Sequence, residues 1–271
     1  MSVVKNIYIN VRAFFRLLFF TAMISVFFLT SLMIYFYYRN DPVTKRKKLT
    51  ENGTRYCRLM LMAFNVDLIC KNPIDLEEGS LLVGNHLGFI DIVCLLALQP
   101  AVFITSRELR ETPFLGQISE MGACAYVDRK NRMKIQEELM DIIDVLKMGF
   151  RVVLYAESVA SNGEQVLPFK KTLIMSSGFA HKPLRPFVFN FRKVNGGPVL
   201  YEHRDALCWY GDHSFFGSIW RSFLLDSICC EIEFLPLVNV QVEDDRSEIS
   251  KRVHSFVEEK FIPFKTNMNL I

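Results

Sequence analysis

Hydrophobic and polar positions change their period several times along this chain. From Leu17 to Tyr38 the sequence LLFFTAMISVFFLTSLMIYFYY runs 22 residues without a charge. As one helix it would measure about 33 Å, enough to cover a hydrocarbon core of roughly 30 Å. After residue 50 the pattern breaks into short apolar runs of strand length: SLLVG (80–84), ACAYV (123–127), RVVLY (151–155), PFVFNF (186–191) and EIEFLPLV (231–238). Helical periods lie between them. DIVCLLAL (91–98) is one. RMKIQEELMDIIDVLKMG (132–149) sets Ile135, Leu139, Ile142, Ile143 and Leu146 on one face and stops at Gly149. SEISKRVHSFVEEKF (247–261) predicts an amphipathic terminal helix. Strands alternating with helices predict an α/β fold: a mixed, partly parallel sheet flanked by helices, behind an N-terminal membrane helix or helical hairpin. The chain has no internal repeat or linker after residue 50. The expected organisation is a membrane anchor with a basic juxtamembrane segment over 1–50 and one cytoplasmic domain over 51–271.

Composition strengthens the membrane reading. Half the residues are hydrophobic, 24 are Phe, and the mean hydropathy is +0.19. A cleavable signal peptide fits poorly, because the apolar stretch is too long and ends in the bulky YFYYRND. Tyr35, Phe36, Tyr37 and Tyr38 suit a membrane–water interface. Lys5, Arg12 and Arg16 precede the stretch, whereas Arg39 and Lys45, Arg46, Lys47 and Lys48 follow it. The positive-inside tendency then places residues 40–271 in the cytoplasm, as does a hairpin lying in one leaflet. The KRKK cluster beside a bilayer attracts anionic lipid. A net charge of +3 is too small to suggest a nucleic-acid partner. Seven Cys without a C-x-x-C pair predict free thiols in a reducing compartment, and no spacing of ligand residues predicts a metal.

The polar residues fall at strand ends. SLLVG runs into Asn85-His86, ACAYV into Asp128-Arg129, and RVVLYA into Glu157-Ser158. In open α/β sheets ligands bind at the carboxyl edge of the strands, so the three clusters are expected to share a cleft. His86 and Asp91 stand five positions apart. With five His and twelve Asp in the chain, chance alone supplies about 0.2 such pairs, so the spacing is weak by itself. On one helix the two side chains would diverge by about 140°. They meet only if His86 precedes the helix and Asp91 sits in its first turn, where the helix dipole favours a carboxylate. Asp91 would then hold one ring nitrogen and leave the other basic. No G-x-S-x-G motif is present, which makes a substrate hydroxyl the expected nucleophile.

Four blocks in order along 82–191 carry a family resemblance. NHLGFID (85–91) resembles the N-H-x4-D block of the glycerolipid acyltransferases, the 1-acylglycerol-3-phosphate acyltransferase superfamily. GACAYVDRKNR (122–132) is similar to its second block. VVLYAESVASNGEQVLPFKKTLI (152–174) resembles the third, usually Phe-Pro-Glu-Gly-Thr, and LRPFVFNF (184–191) the fourth. WYGDHSFFGSIW (209–220) is similar to a downstream segment of lysophospholipid-type members. The resemblance implies the glycerolipid acyltransferase fold and transfer of an acyl group to a lysolipid hydroxyl. The donor would be a thioester of coenzyme A or acyl-carrier protein, consumed as a substrate, with no other cofactor. By motif position His86 is the general base, Asp91 its orienting partner, Arg129 the ligand of an acceptor phosphate, and Glu157 a residue that holds acceptor hydroxyls or fixes the site. Ser161 and Gly163 stand where replacement donors are needed, because Glu157-Ser158-Val159 lacks the family's Gly-Thr pair. That departure bears on the headgroup. The leading expectation is 1-acylglycerol 3-phosphate going to phosphatidic acid, with lysophosphatidylcholine or lyso-ornithine lipid as alternative acceptors. A membrane thioesterase and a catalytically silent scaffold are the other readings. The expected location is the bacterial inner membrane or the endoplasmic reticulum, with lysophospholipid, acyl thioester and membrane lipid as partners.

Overall fold

A computed structural model of the protein describes residues 3–74, 79–128 and 135–265. Ten α-helices and seven strands alternate along these residues. In chain order they are α1 (Val3–Tyr37), α2 (Pro42–Phe64), β1 (Val66–Lys71), β2 (Leu81–Gly84), α3 (Phe89–Leu98), β3 (Val102–Ser106), α4 (Arg107–Glu111), α5 (Leu115–Met121) and β4 (Ala125–Val127). There follow α6 (Ile135–Lys147), β5 (Val152–Tyr155), α7 (Ser176–Ala180), β6 (Leu184–Val194), α8 (Arg204–Leu207), α9 (Phe215–Leu224), β7 (Ile228–Phe234) and α10 (Arg246–Lys260). The strands form one sheet in the order β1-β7-β6-β2-β5-β3-β4. β6, β2, β5, β3 and β4 are mutually parallel; β7 pairs antiparallel with β6 and parallel with β1.

Alternate residues of the central strands enter two separate cores. Leu82, Val153 and Phe189 pack toward α1, α2, α3 and α9. Leu81, Val83, Val152 and Leu154 pack toward α6, α7 and α10. A strand covered on both faces must be apolar at every position, which is why SLLVG and RVVLY read as unbroken hydrophobic runs. Each fully buried Leu or Val contributes about 1.5–3 kcal/mol of burial free energy.

The expected strands all form, though EIEFLPLV is shifted. β7 begins at Ile228 and ends at Phe234, and Val238 makes only an isolated bridge to Leu184. Pro236 stands two residues past the strand's last residue, and a proline has no N–H for the ladder.

The N-terminal apolar helix is longer than the uncharged stretch and is paired. α2 starts sharply, with Asp41 accepting from Thr44 N–H and Pro42 in its first turn. It ends at Asn65 in the left-handed conformation. Residue 50 falls inside it. The buried amide of Asn52 donates to Thr30 Oγ1 (2.9 Å) and Ser31 Oγ (3.0 Å), clasping α2 to α1. Nearer the start of α1, Arg12 and Arg16 reach the carbonyls of Leu224 and Phe223 at the end of α9 (2.9 and 3.2 Å), and Arg12 pairs with Asp226. Between these points Phe20 packs edge-on against Phe64 and Phe223. The outward side of α1 exposes Ile7, Val11, Phe15, Leu18, Leu29, Met33 and Phe36.

Candidate active site

The site forms where β2 ends between β5 and β6. Asn85 leaves the strand and sews the turn to β6: its Nδ2 donates to Phe189 O (2.9 Å) and its Oδ1 accepts from Phe189 N (2.8 Å). His86 is then held by its main chain. Its N–H donates to Glu157 Oε1 (2.9 Å), and its carbonyl accepts from Ser161 N (2.8 Å). Glu157 Oε2 accepts from Leu167 N (3.0 Å), so one carboxylate ties the β2 turn to the loop after β5.

Asp91 occupies the first turn of α3, as the spacing requires, and is 1% exposed. Its Oδ2 accepts from Leu87 N (2.6 Å) and Gly88 N (2.9 Å), capping the helix start. His86 Nδ1 lies 3.1–3.2 Å from its two oxygens. A carboxylate facing Nδ1 keeps the proton there and leaves Nε2 as the basic nitrogen. Gly88 makes this turn at φ +154°, and a Cβ there would stand 2.7 Å from Trp209 N.

Tyr155 completes the support. Its ring stacks on the His86 imidazole at 4.1 Å and 14°. Its hydroxyl is buried and lies beside the Asp91 carboxylate. Burial, then the Asp91 charge, holds this phenol well above its ordinary value, so it stays neutral. Burial also pushes Glu157 up to about 8, with Asp91 adding to the rise; the N–H groups of His86 and Leu167 pull the other way.

The remaining expected residues fall differently. Ser161 is buried and contributes its amide to His86; its Oγ accepts from Gly163 N (3.4 Å). Gly163 turns the chain at φ +86° against the Phe264 ring. Arg129 lies outside the described residues. Of the three strand ends expected to share a cleft, those at Asn85-His86 and Glu157 meet, and the third is described only as far as Asp128. Asp128 follows β4 at the sheet edge, two strands beyond β5, and its amide donates to Glu138.

A cavity of about 240 Å³ opens beside the dyad. His86, Tyr155 and Trp209 line it at the sheet edge; Phe20, Ile24 and Phe27 of α1 and Gly53, Tyr56 and Met60 of α2 line it from the helical hairpin. Such a wall accepts a hydrocarbon and repels water-soluble groups. A base beside an apolar slot can deprotonate a hydroxyl that attacks the carbonyl of a bound acyl chain.

The Acyltransferase family model matches residues 65–189. A lyso-ornithine lipid O-acyltransferase of Brucella abortus is 30% identical over 191 residues, 67% of this chain and 72% of that one. The chain belongs to the lysophospholipid acyltransferase family. As such it is an O-acyltransferase. The 1-acyl-sn-glycerol-3-phosphate acyltransferase of Neisseria meningitidis serogroup B is 22% identical over 217 residues, 80% and 81% of the two chains. The crystal structure of the 1-acyl-sn-glycerophosphate acyltransferase of Thermotoga maritima shares the fold, with a TM-score of 0.65 at 17% identity over 93% of this chain and 95% of that one. The long apolar helix and these relatives associate this acyltransferase with membranes.

Three contributors to the site were not singled out by the sequence. Asn85 was visible only as part of a motif, Tyr155 only as a departure from Phe, and Trp209 only as part of a downstream segment. Their work depends on β6, β5 and the α8–α9 connection meeting at one turn, which pairing across the sheet decides.

Proposed function

We propose that the protein transfers an acyl group from a thioester to the free hydroxyl of a lysolipid, with His86 as general base. His86 Nε2 takes the hydroxyl proton as the oxygen attacks the thioester carbonyl. The tetrahedral intermediate collapses with cleavage of the C–S bond, and the imidazolium returns its proton to the leaving thiolate. Asp91 keeps the Nδ1 proton in place and stabilises the imidazolium. The oxyanion donors lie outside a known set of amides. Those of His86, Leu87, Gly88, Ser158 and Ser161 are already bonded within the protein. The observation that carries this reading is the dyad opening onto a cavity with an apolar wall, suited to an acyl chain.

The acceptor to test first is 1-acylglycerol 3-phosphate, for which the Neisseria relative is named. Lyso-ornithine lipid stands beside it, favoured by the higher identity of the Brucella relative. Membranes carrying wild type or His86→Ala, given labelled acyl-CoA and a panel of lysolipids, test the proposal. Product on a lysolipid that vanishes with His86→Ala supports it. Equal product from both proteins removes His86 as base, and free fatty acid formed without an acceptor favours a thioesterase.

We further propose that α1 lies in one leaflet rather than crossing it, with the catalytic domain in the cytoplasm. Its contacts with the body begin at Arg12 and continue to Ser31, a rise of about 28 Å. That nearly equals a hydrocarbon core of roughly 30 Å. A crossing helix would have to carry α9 or α2 through the bilayer with it.

A further inference from the structure

The connection from Tyr201 to α9 passes over the dyad turn, and its polar side chains play no part in the steps above. Trp209 N–H donates to Leu87 O (2.9 Å), and its backbone fills the space a side chain on Gly88 would need. The connection is therefore registered on the two residues whose amides Asp91 holds. The Trp209 indole walls the cavity beside His86, and its N–H is spent on His213 O (2.7 Å).

Around Trp209 gather Arg204, Asp205, Tyr210, His213 and Arg221. Tyr210 hydroxyl donates to Asp205 Oδ1 (2.7 Å), and Arg204 Nε approaches the same oxygen at 3.3 Å. Tyr210, with a smaller contribution from Arg204, holds Asp205 below the usual carboxylate range. Arg221 braces the cluster: Nε donates to Asp205 O (2.7 Å), and Nη2 to Ser218 Oγ (3.1 Å) and His213 Nδ1 (3.2 Å). A guanidinium only donates, so His213 Nδ1 accepts and its proton sits on Nε2. Arg204 lies on the Tyr201 ring at 4.1 Å, which fixes the plane of its fork. Within this cluster four groups are left over among the described residues: Asp205 Oδ2, the terminal nitrogens of Arg204, Arg221 Nη1 and His213 Nε2–H. The Arg204–Asp205 pair remains partly open to solvent.

We propose that Arg204, Asp205 and His213 bind the headgroup of the acceptor lysolipid, and that their adjoining opposite charges select a zwitterionic aminolipid. Its ammonium meets Asp205, and its acid group meets Arg204 and His213. A phosphomonoester placed there would meet the Asp205 carboxylate as a like charge, an unfavourable pairing that disfavours the wrong headgroup. The proposal rests on the acyl-transfer reading and names the acceptor class for it.

The test uses the full chain in detergent micelles. Binding of lyso-ornithine lipid and of 1-acylglycerol 3-phosphate is followed by tryptophan fluorescence without an acyl donor, and initial rates are measured separately with labelled acyl-CoA. Wild type is expected to bind the aminolipid more tightly. Asp205→Asn keeps the shape and the oxygen that Tyr210 uses; it should weaken aminolipid binding about tenfold, as loss of one charge-assisted contact predicts, and tighten 1-acylglycerol 3-phosphate, because the repelling carboxylate is gone. Arg204→Gln should weaken both lipids, Arg204→Lys partly restore them, and the KM for acyl-CoA stay constant in every variant. Tighter wild-type binding of 1-acylglycerol 3-phosphate, or equal weakening of both lipids by Asp205→Asn, overturns the proposal. Selective binding without product on either lipid would sink acyl transfer and keep the headgroup site. Product on both lipids with KM values untouched by the variants would do the reverse.

Discussion

Asp91 holds three donors with one carboxylate, and that sharing makes its replacement informative. An asparagine can still offer an oxygen to Leu87 and Gly88 N–H, but only by turning its NH2 toward His86 Nδ1. The imidazole must then carry its proton on Nε2 and loses its base. Asp91→Asn is expected to lower kcat by about 10³–10⁴-fold with the fold intact, measured as initial rate beside a thermal melt. Glu157 is the opposite case, buried at 3% exposure with a backbone N–H on each oxygen. Gln must aim its NH2 at one of those donors, a mismatch worth about 1–3 kcal/mol. Chemical denaturation of Glu157→Gln should show that loss. The wild-type carboxyl also titrates from 4.5 in the free side chain to about 8 when folded. Because the folded value is the higher, its contribution is complete below pH 4.5 and disappears as pH rises through 8. Wild-type unfolding free energy should decline across that window, and the decline should be smaller in Glu157→Gln.

At the scale of elements, the α1–α2 hairpin sets the cavity. Gly53 of α2 lines it, and a Cβ there would meet Leu96 Cδ2 at 3.2 Å. Gly53→Leu is expected to shift acyl-CoA preference toward shorter chains by at least about tenfold in kcat/KM, through lost space rather than lost chemistry. Product chain length by mass spectrometry reads this directly; unchanged preference would place the acyl chain elsewhere. How legible these elements were in the sequence follows from their environments. β2 and β5 are buried on both faces and announce themselves as apolar runs. β1 and β3 were silent: β1 alternates half-buried and exposed positions at the sheet edge, and β3 hands over at once to α4. α2 was silent for another reason. Its polar, lysine-rich start hides an inner face that shows only when α1 and α3 cover it. His86, Asp91 and Glu157 were legible because spacing and strand ends carry them. Trp209 and its neighbours were not, since their place depends on a connection far downstream folding back over Gly88, with Trp209 standing 121 residues after it.

For the whole molecule, topology is the measurable question. If α1 lies in one leaflet, tags at the N- and C-termini of the full chain should both be digested by protease from the cytoplasmic side and both be protected in sealed vesicles of the opposite orientation. One accessible and one protected tag would establish a crossing helix. A further consequence comes from Phe20, Ile24 and Phe27, which belong both to the membrane helix and to the cavity wall. Seating α1 and filling the cavity are then linked equilibria, and linkage is reciprocal. On the proposed reading, an acyl chain in the cavity would tighten the grip of α1 on the body, and loosening α1 would weaken the hold on the chain by the same factor. A shortened protein without residues 1–38 would keep the dyad and dissolve more readily, yet its acyl slot would stand open to water on one side.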